Sequence, residues 1–361
     1  MKNLSISNSD RPSKLDIERG DAEPKTDWIR SVLIAVVFTF VLLVAFEMVL
    51  RASGAQPNFR DNQSRWSAIR DAAGKDTSSN AIALLGASRI RAGISLDTLR
   101  DRYPDHGVYP LGYVAHRGCA VLKDLANTTE FRGTIILSMN ANWVNCQPGP
   151  NQMYSKVDSY HRDWNWAREI DARISNVVTG WFVFTDSHYS IRSLLSNTLK
   201  TGTVLPQKHY VTSRVDRQLE YDFSFLDSEK LDDIRNHDTA SYLWRVDTEL
   251  QLNEASWKNG LEEFSRSIET ITKRGGQVVI IRMPTGGSLR RAEEEAFPRT
   301  QFWDDLAASL PADAIIHFED EAALAAFNLP DGNHLDKRDA PEFTQKLLDL
   351  LESKGIELNR T

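Results

Sequence analysis

Two short stretches, far apart in this chain, carry residue types that together could cleave or transfer an acyl group. The first is Leu84-Leu85-Gly86-Ala87-Ser88-Arg89, where a glycine two residues before a serine lets the chain turn sharply and exposes the hydroxyl. The second is Asp331-Gly332-Asn333-His334-Leu335, followed by a helical pattern after Pro341. A carboxylate three residues before a histidine can orient the imidazole, fix its tautomer and stabilise its charged form. A histidine held in this way can deprotonate a serine hydroxyl that the fold brings beside it. Acyl transfer also needs donors aimed at the developing oxyanion. Two stretches could supply them: the backbone N–H of Gly112, after Leu111, and an amide side chain in Asn140-Ala141-Asn142-Trp143. Arg89 and Arg91 follow the serine, and Arg282 opens Arg282-Met283-Pro284-Thr285. Each could hold an anionic substrate or serve as a helix-end or salt-bridge residue.

These residues need a scaffold that gathers them at one edge. Five short apolar runs read as strands: Ala81–Gly86, Gly107–Gly112, Thr134–Met139, Gln277–Met283 and Ala314–Phe318. They are apolar at successive positions, as in strands covered by helices on both faces. Helical periodicity fits Ser64–Ala73, Leu96–Tyr103, Ala115–Asn127, Glu254–Arg274, Ser288–Ser309 and Ala340–Ser353, with Gly275-Gly276 closing the long fourth of these after residue 274. The alternation predicts a three-layer α/β/α domain with a mainly parallel sheet. Such sheets bind ligands at the carboxyl edge of their strands, where Ser88, Gly112 and Asn140 all fall. The stretch 143–253 is too long for a simple crossover and reads as an inserted subdomain. It holds Trp143, Trp164, Trp166, Trp181 and Trp244 and a helical hairpin through Asp163–Leu199.

Ahead of this domain, Val32–Phe46 contains no charged residue, and the apolar stretch runs on to Leu50. That is close to the roughly 20 residues a helix needs to cross a bilayer. Trp28, Arg30 and Arg51 flank it as interfacial anchors. Residues 28–50 therefore read as a transmembrane helix after a leader over 1–27. The small residues Ala52-Ser53-Gly54-Ala55 leave a cleaved signal peptide as the rival. The leader carries Lys2, Arg11, Lys14, Arg19 and Lys25, with Arg30 following it on the same flank, so the positive-inside tendency puts the N-terminus in the cytoplasm and the rest outside. The expected organisation is a linker and helix over 51–78, an α/β domain over 79–142 and 254–361, and the insertion between.

With 361 residues, 41% hydrophobic and 26% charged, the chain has ordinary globular composition. A net charge of −7 with no basic run argues against nucleic-acid binding. The eight histidines lack metal-ligand spacing, and neither a Walker loop nor a dinucleotide glycine fingerprint is present, so no metal or cofactor is expected. Cys119 and Cys146 could form one disulfide outside the cytoplasm or remain two buried thiols.

In the order of its motifs the chain resembles the SGNH (GDSL-like) hydrolase superfamily, with a flavodoxin-like sheet. The resemblance covers about 80–140 and 275–355 and rests chiefly on the ending Asp331-Gly332-Asn333-His334-Leu335. It implies Ser88 as nucleophile, Gly112 as backbone oxyanion donor, Asn140 or Asn142 as the amide donor, and His334 as base partnered by Asp331. The first block reads Gly86-Ala87-Ser88 rather than Gly-Asp-Ser, and the third lacks Gly-x-Asn-Asp. The anchor and the divergent first block are similar to the membrane-anchored branches that act in polysaccharide O-acetylation and D-alanyl transfer. That likeness implies an acyl-serine intermediate, a cell-envelope glycan as acceptor and a multi-spanning acyltransferase as partner. The other reading is a non-catalytic relative that binds a glycan or an assembly partner in the same cleft.

Overall fold

The computed structural model describes residues 27–59, 61–144, 153–204, 208–248 and 252–358. The leader up to residue 26, and Cys146 with its pairing, lie outside the described residues, whereas Cys119 is buried. The chain divides into two compact units, Met1–Ser53 and Gly54–Thr361.

The first unit is helix α1 (Trp28–Ala52), two residues longer than the sequence suggests. Its 25 residues have a mean hydropathy of 2.8 in the most apolar window. At 1.5 Å per residue such a helix is about 37 Å long, enough to cross a hydrocarbon core of about 30 Å.

In the second unit, α2 (Gln63–Lys75) leads to β1 (Ile82–Leu85), α3 (Ser88–Gly93), α4 (Leu96–Arg102), β2 (Val108–Pro110), α5 (Cys119–Thr128) and β3 (Thr134–Ser138). The insertion then contributes α6 (Tyr154–Asp163), α7 (Trp166–Trp181), α8 (Ile191–Thr201), the antiparallel pair β4 (Val211–Ser213) and β5 (Leu219–Tyr221), and α9 (Ser228–Thr248). The chain closes with α10 (Glu254–Lys273), β6 (Gln277–Arg282), α11 (Gly287–Ala296), α12 (Arg299–Ser309), β7 (Ala314–His317), α13 (Ala322–Ala325) and α14 (Ala340–Ser353).

Five strands pair in parallel in the order β2-β1-β3-β6-β7. Side chains alternate across this sheet, and each face is covered. Ala83, Leu85, Ile135, Leu137, Val278 and Ile280 share a core with Trp66 of α2, Leu122 of α5, Phe264 of α10 and Trp303 of α12. Ile82, Leu84, Ile136, Val279 and Ile281 pack instead with Ile90 of α3, Leu99 of α4 and Phe343 and Leu347 of α14. Each fully buried aliphatic side chain contributes about 1.5–3 kcal/mol, which is why the middle positions of these strands are apolar on both faces. The result is the expected three-layer α/β/α arrangement.

Two helices differ from the sequence reading. The run Ser288–Ser309 is two helices, because Pro298 has no N–H for a helix continuing from Phe297 and instead precedes α12. The helix expected from Ala115 begins at Cys119, because residues 113–116 form a turn in which His116 N–H donates to Tyr113 O at 3.1 Å and Ala115 adopts φ +59°. The stretch Asp163–Leu199, expected as a helical hairpin, contains α7 and α8 joined by two single 3₁₀ turns.

Candidate active site

The chain leaves β1 toward β2 on one side and reaches β3 on the other, so the sheet changes direction between β1 and β3. A crevice forms at the carboxyl ends of two such strands. Gly86, at the end of β1, adopts φ +134°, and a Cβ there would come within 2.7 Å of the Ser138 carbonyl. Only glycine fits, and the sharp turn sets Ser88 half-buried at the start of α3.

His334 Nε2 lies 2.8 Å from Ser88 Oγ, and His334 Nδ1 lies 2.7 Å from Asp331 Oδ2. The spacing of Asp331 and His334 has a local cause. Asp331 Oδ1 accepts the backbone N–H groups of Asn333 and His334 at 2.8 and 2.7 Å, which folds the loop around the carboxylate and leaves Oδ2 for the imidazole. Gly332 supplies the φ of +78° that this loop needs. Asp331 is 1% exposed. Burial raises its pKa, but the neighbouring imidazole and three hydrogen bonds outweigh it and hold the carboxyl below its ordinary range. The network assigns the proton to Nδ1, leaving Nε2 to accept from the serine hydroxyl.

The two asparagines separate. Asn140 lines the cleft of about 320 Å³ beside Ser88 and His334, and its amide nitrogen makes a long 3.4 Å contact to Glu293. Asn142 is buried away from that cleft, and among the described residues its side-chain atoms have no hydrogen-bond partner. Gly112 departs from its expected role. Its N–H donates to Leu84 O at 2.9 Å, where β1 ends, and the residue does not line the cleft. Val114 and Ala115 of the following turn do line it, and among the described residues their N–H groups have no acceptor. The remaining donors are therefore this turn, the open N–H groups of the first turn of α3, and Asn140.

The arginines also differ from expectation. Arg282 is buried behind the cleft, paired with Glu293. Arg91 is buried against Asp61 at 2.8 Å and donates to Arg217 O; burial and the neighbouring Arg217 pull its pKa down to about 10. Neither can meet a substrate. Arg89 reaches the cleft, but its guanidinium is divided among Asn333 Oδ1 (2.8 Å), Asn140 Oδ1 (3.0 Å) and Glu293 Oε1 (2.9 Å). It positions Asn140 and Asn333 and is not a free cation.

Glu293, which the sequence reading passed over, is the hub of this cluster. It also accepts from Thr285 Oγ1 at 2.7 Å. Burial alone would raise its pKa, yet Arg282 and Arg89 bring it down to about 2. Glu293 lies four residues after Leu289, so an acid on the apolar stripe of α11 was the available signal.

The insertion supplies the opposite wall. Tyr221 of β5 stacks on the His334 imidazole with ring centroids 4.0 Å apart and planes at 11°. Lys337 N–H donates to Tyr221 O at 2.8 Å, and Phe223 N–H to Asp336 Oδ2 at 3.1 Å, tying the ribbon to the histidine loop. Helix α9 adds Asp238, which accepts from Asn333 Nδ2 at 2.8 Å, together with Tyr242 and Arg245. Arg245 lines the cleft and, among the described residues, has no ion-pair partner, whereas Arg89 and Arg282 are both paired with Glu293. Asp238, Asp331 and His334 offer ligand atoms within 4.8 Å of one another, but a metal would have to displace Ser88 or Asp331 from the imidazole. No protein-family model matches the chain, and no curated protein matches it.

Proposed function

We propose that this chain is a serine-dependent acyl-ester hydrolase or O-acyltransferase of SGNH type, acting on a cell-envelope glycan outside the cytoplasm. The observation that carries the reading is the unbroken chain from Ser88 Oγ through His334 to the buried Asp331, opening into a cleft. Ser88 Oγ attacks the acyl carbonyl while its proton passes to His334 Nε2. The proton then goes to the departing alcohol oxygen, leaving an acyl ester on Ser88. Water or a sugar hydroxyl gives up a proton to the same nitrogen, attacks the ester and regenerates the serine. Asp331 holds the imidazole in the required tautomer throughout. Arg245, without an ion-pair partner among the described residues, suits an anionic group on the substrate, and Trp143 and Tyr242 offer faces for a sugar ring. The Lys and Arg residues of the leader support placement of the α/β domain outside the cytoplasm, where a multi-spanning acyltransferase could deliver the acyl group.

A binding-only reading draws on one observation: the Gly112 N–H is tied to Leu84 O, which leaves fewer fixed oxyanion donors. The full-length chain and its Ser88→Ala variant, assayed with p-nitrophenyl acetate and a fluorophosphonate probe, separate the two. The enzyme reading expects covalent labelling of Ser88 and loss of about 10³-fold or more of the esterase rate in the variant. Equal, background rates with an unlabelled serine would favour binding alone.

A further inference from the structure

The insertion presents an apolar surface that the cleft does not use. Along α7, Trp166, Ile170, Ile174, Val177, Val178 and Trp181 recur at helical spacing on one face. All six are exposed, Trp166 at 75% and Trp181 at 71%. The buried residue of this helix is Ala172, and Thr179 accepts a hydrogen bond from Arg65 of α2 at 2.6 Å, so α7 packs by a different side. Helix α8 repeats the pattern with exposed Ile191, Leu195 and Leu199. A contiguous apolar stripe of this size on a soluble surface marks an interaction site.

We propose that the Trp166–Trp181 face of α7 lies in the interfacial layer of the bilayer that α1 spans. The proposal rests on the reading of α1 as a membrane anchor. Two observations select lipid over other apolar partners. First, only Ser53–Phe59 separates the end of α1 from a residue fixed beside α7, and seven residues reach at most about 25 Å. Phe59 is held by its N–H to Ser213 O at 2.9 Å and by Arg65 over its ring at 4.5 Å. It also packs on α7 so closely that a Cβ on Gly180 would come within 2.7 Å of its ring. The tether thus limits Phe59, and the end of α7 packed on it, to within about 25 Å of the end of α1. Second, the stripe begins and ends with tryptophan, the side chain that prefers the membrane–water boundary.

The test uses the full chain in lipid nanodiscs containing a lipid with a nitroxide near the headgroup end of its acyl chain. Trp28, Trp166 and Trp181 should be quenched, and in the W166F/W181F variant the quenchable emission should fall to about a third, the share left to Trp28. An I174E/V177E variant should lose the same component while keeping its circular dichroism and melting temperature. Retention of the chain by the discs with Trp166 and Trp181 unquenched would overturn the docking alone. Release of the chain by alkaline carbonate would overturn the anchor and the docking together. Quenching or cross-linking that appears only with two copies per disc would assign the face to self-association and overturn the proposal.

Discussion

The two walls of the cleft are built from different material. One wall comes from the sheet: Ser88 after β1, Asn140 after β3 and His334 in the loop before α14. Every side chain on it is held by a second group, Asp331 for the histidine and Arg89 with Glu293 for the asparagine. The other wall comes from the insertion. It is anchored through Tyr221 and Asp238 but leaves Arg245 without a partner among the described residues. Rigid strand ends suit reacting groups, which need positions fixed to a fraction of an ångström. A helix standing on a peripheral segment suits recognition, because its side chains can change without disturbing the sheet.

The sharpest test of this division is Asp331→Asn, which keeps the shape but favours the wrong imidazole tautomer; kcat should fall by about 10⁴-fold with little change in KM. A loss below tenfold would mean that the histidine does not act as a base. Next is Glu293→Gln. It leaves Arg89 and Arg282 facing each other without a carboxylate and should cost about 3 kcal/mol in urea unfolding, because a buried cation loses its partner. The same residue sets a pH signature. Its folded pKa of about 2 lies below the ordinary 4.5, so the unfolded chain takes up the proton first and the stabilisation fades as pH drops from about 4.5 toward 2. The variant should lack that part of the acid dependence.

On the insertion wall, Arg245→Ala should lower kcat/KM by about tenfold for an ester with an anionic acyl or alcohol group and leave a neutral ester unchanged. Equal losses on both would assign the residue to structure. Tyr221→Leu should reduce kcat about fivefold through a looser imidazole, while Tyr221→Phe, which keeps the stacked ring, should stay near wild type. The smallest effect belongs to Ala115→Gly, which relieves a positive φ on a residue with a side chain. Thermal unfolding should show a gain of no more than about 1 kcal/mol, since glycine also gives the unfolded chain more freedom.

The five strands of the sheet were legible to within about two residues, because burial on both faces demands a continuous apolar run, and theirs are too short to be confused with the apolar run of α1. The break at Pro298 was legible too, since a proline inside a helical pattern ends it, yet the reading of Ser288–Ser309 ran through it. The ribbon β4–β5 was not, since three-residue strands are too short to carry a period. Among the site residues, Ser88, Asp331 and His334 stood out because their chemistry is encoded locally: a glycine turn before the serine, and a carboxylate that caps its own loop.

The roles of the charged residues were a different matter. Arg89, Arg91 and Arg282 look alike in sequence, as do Glu293, Glu294 and Glu295. Only the fold turns Arg282 and Glu293 inward to pair, buries Arg91 on Asp61, and leaves Arg245 facing the cleft. Likewise, Gly112 is a glycine at a strand end in either account, but whether its N–H faces the ligand or the Leu84 carbonyl depends on the path of the next four residues. Local sequence determined the turns and loops that present the serine, the histidine and its carboxylate, because short-range hydrogen bonds and backbone sterics fix them. Partner choice among arginines, glutamates and backbone donors was decided by tertiary structure, because charges and N–H groups interact with whatever lies within a few ångströms, and here those neighbours are tens to hundreds of residues away in the chain.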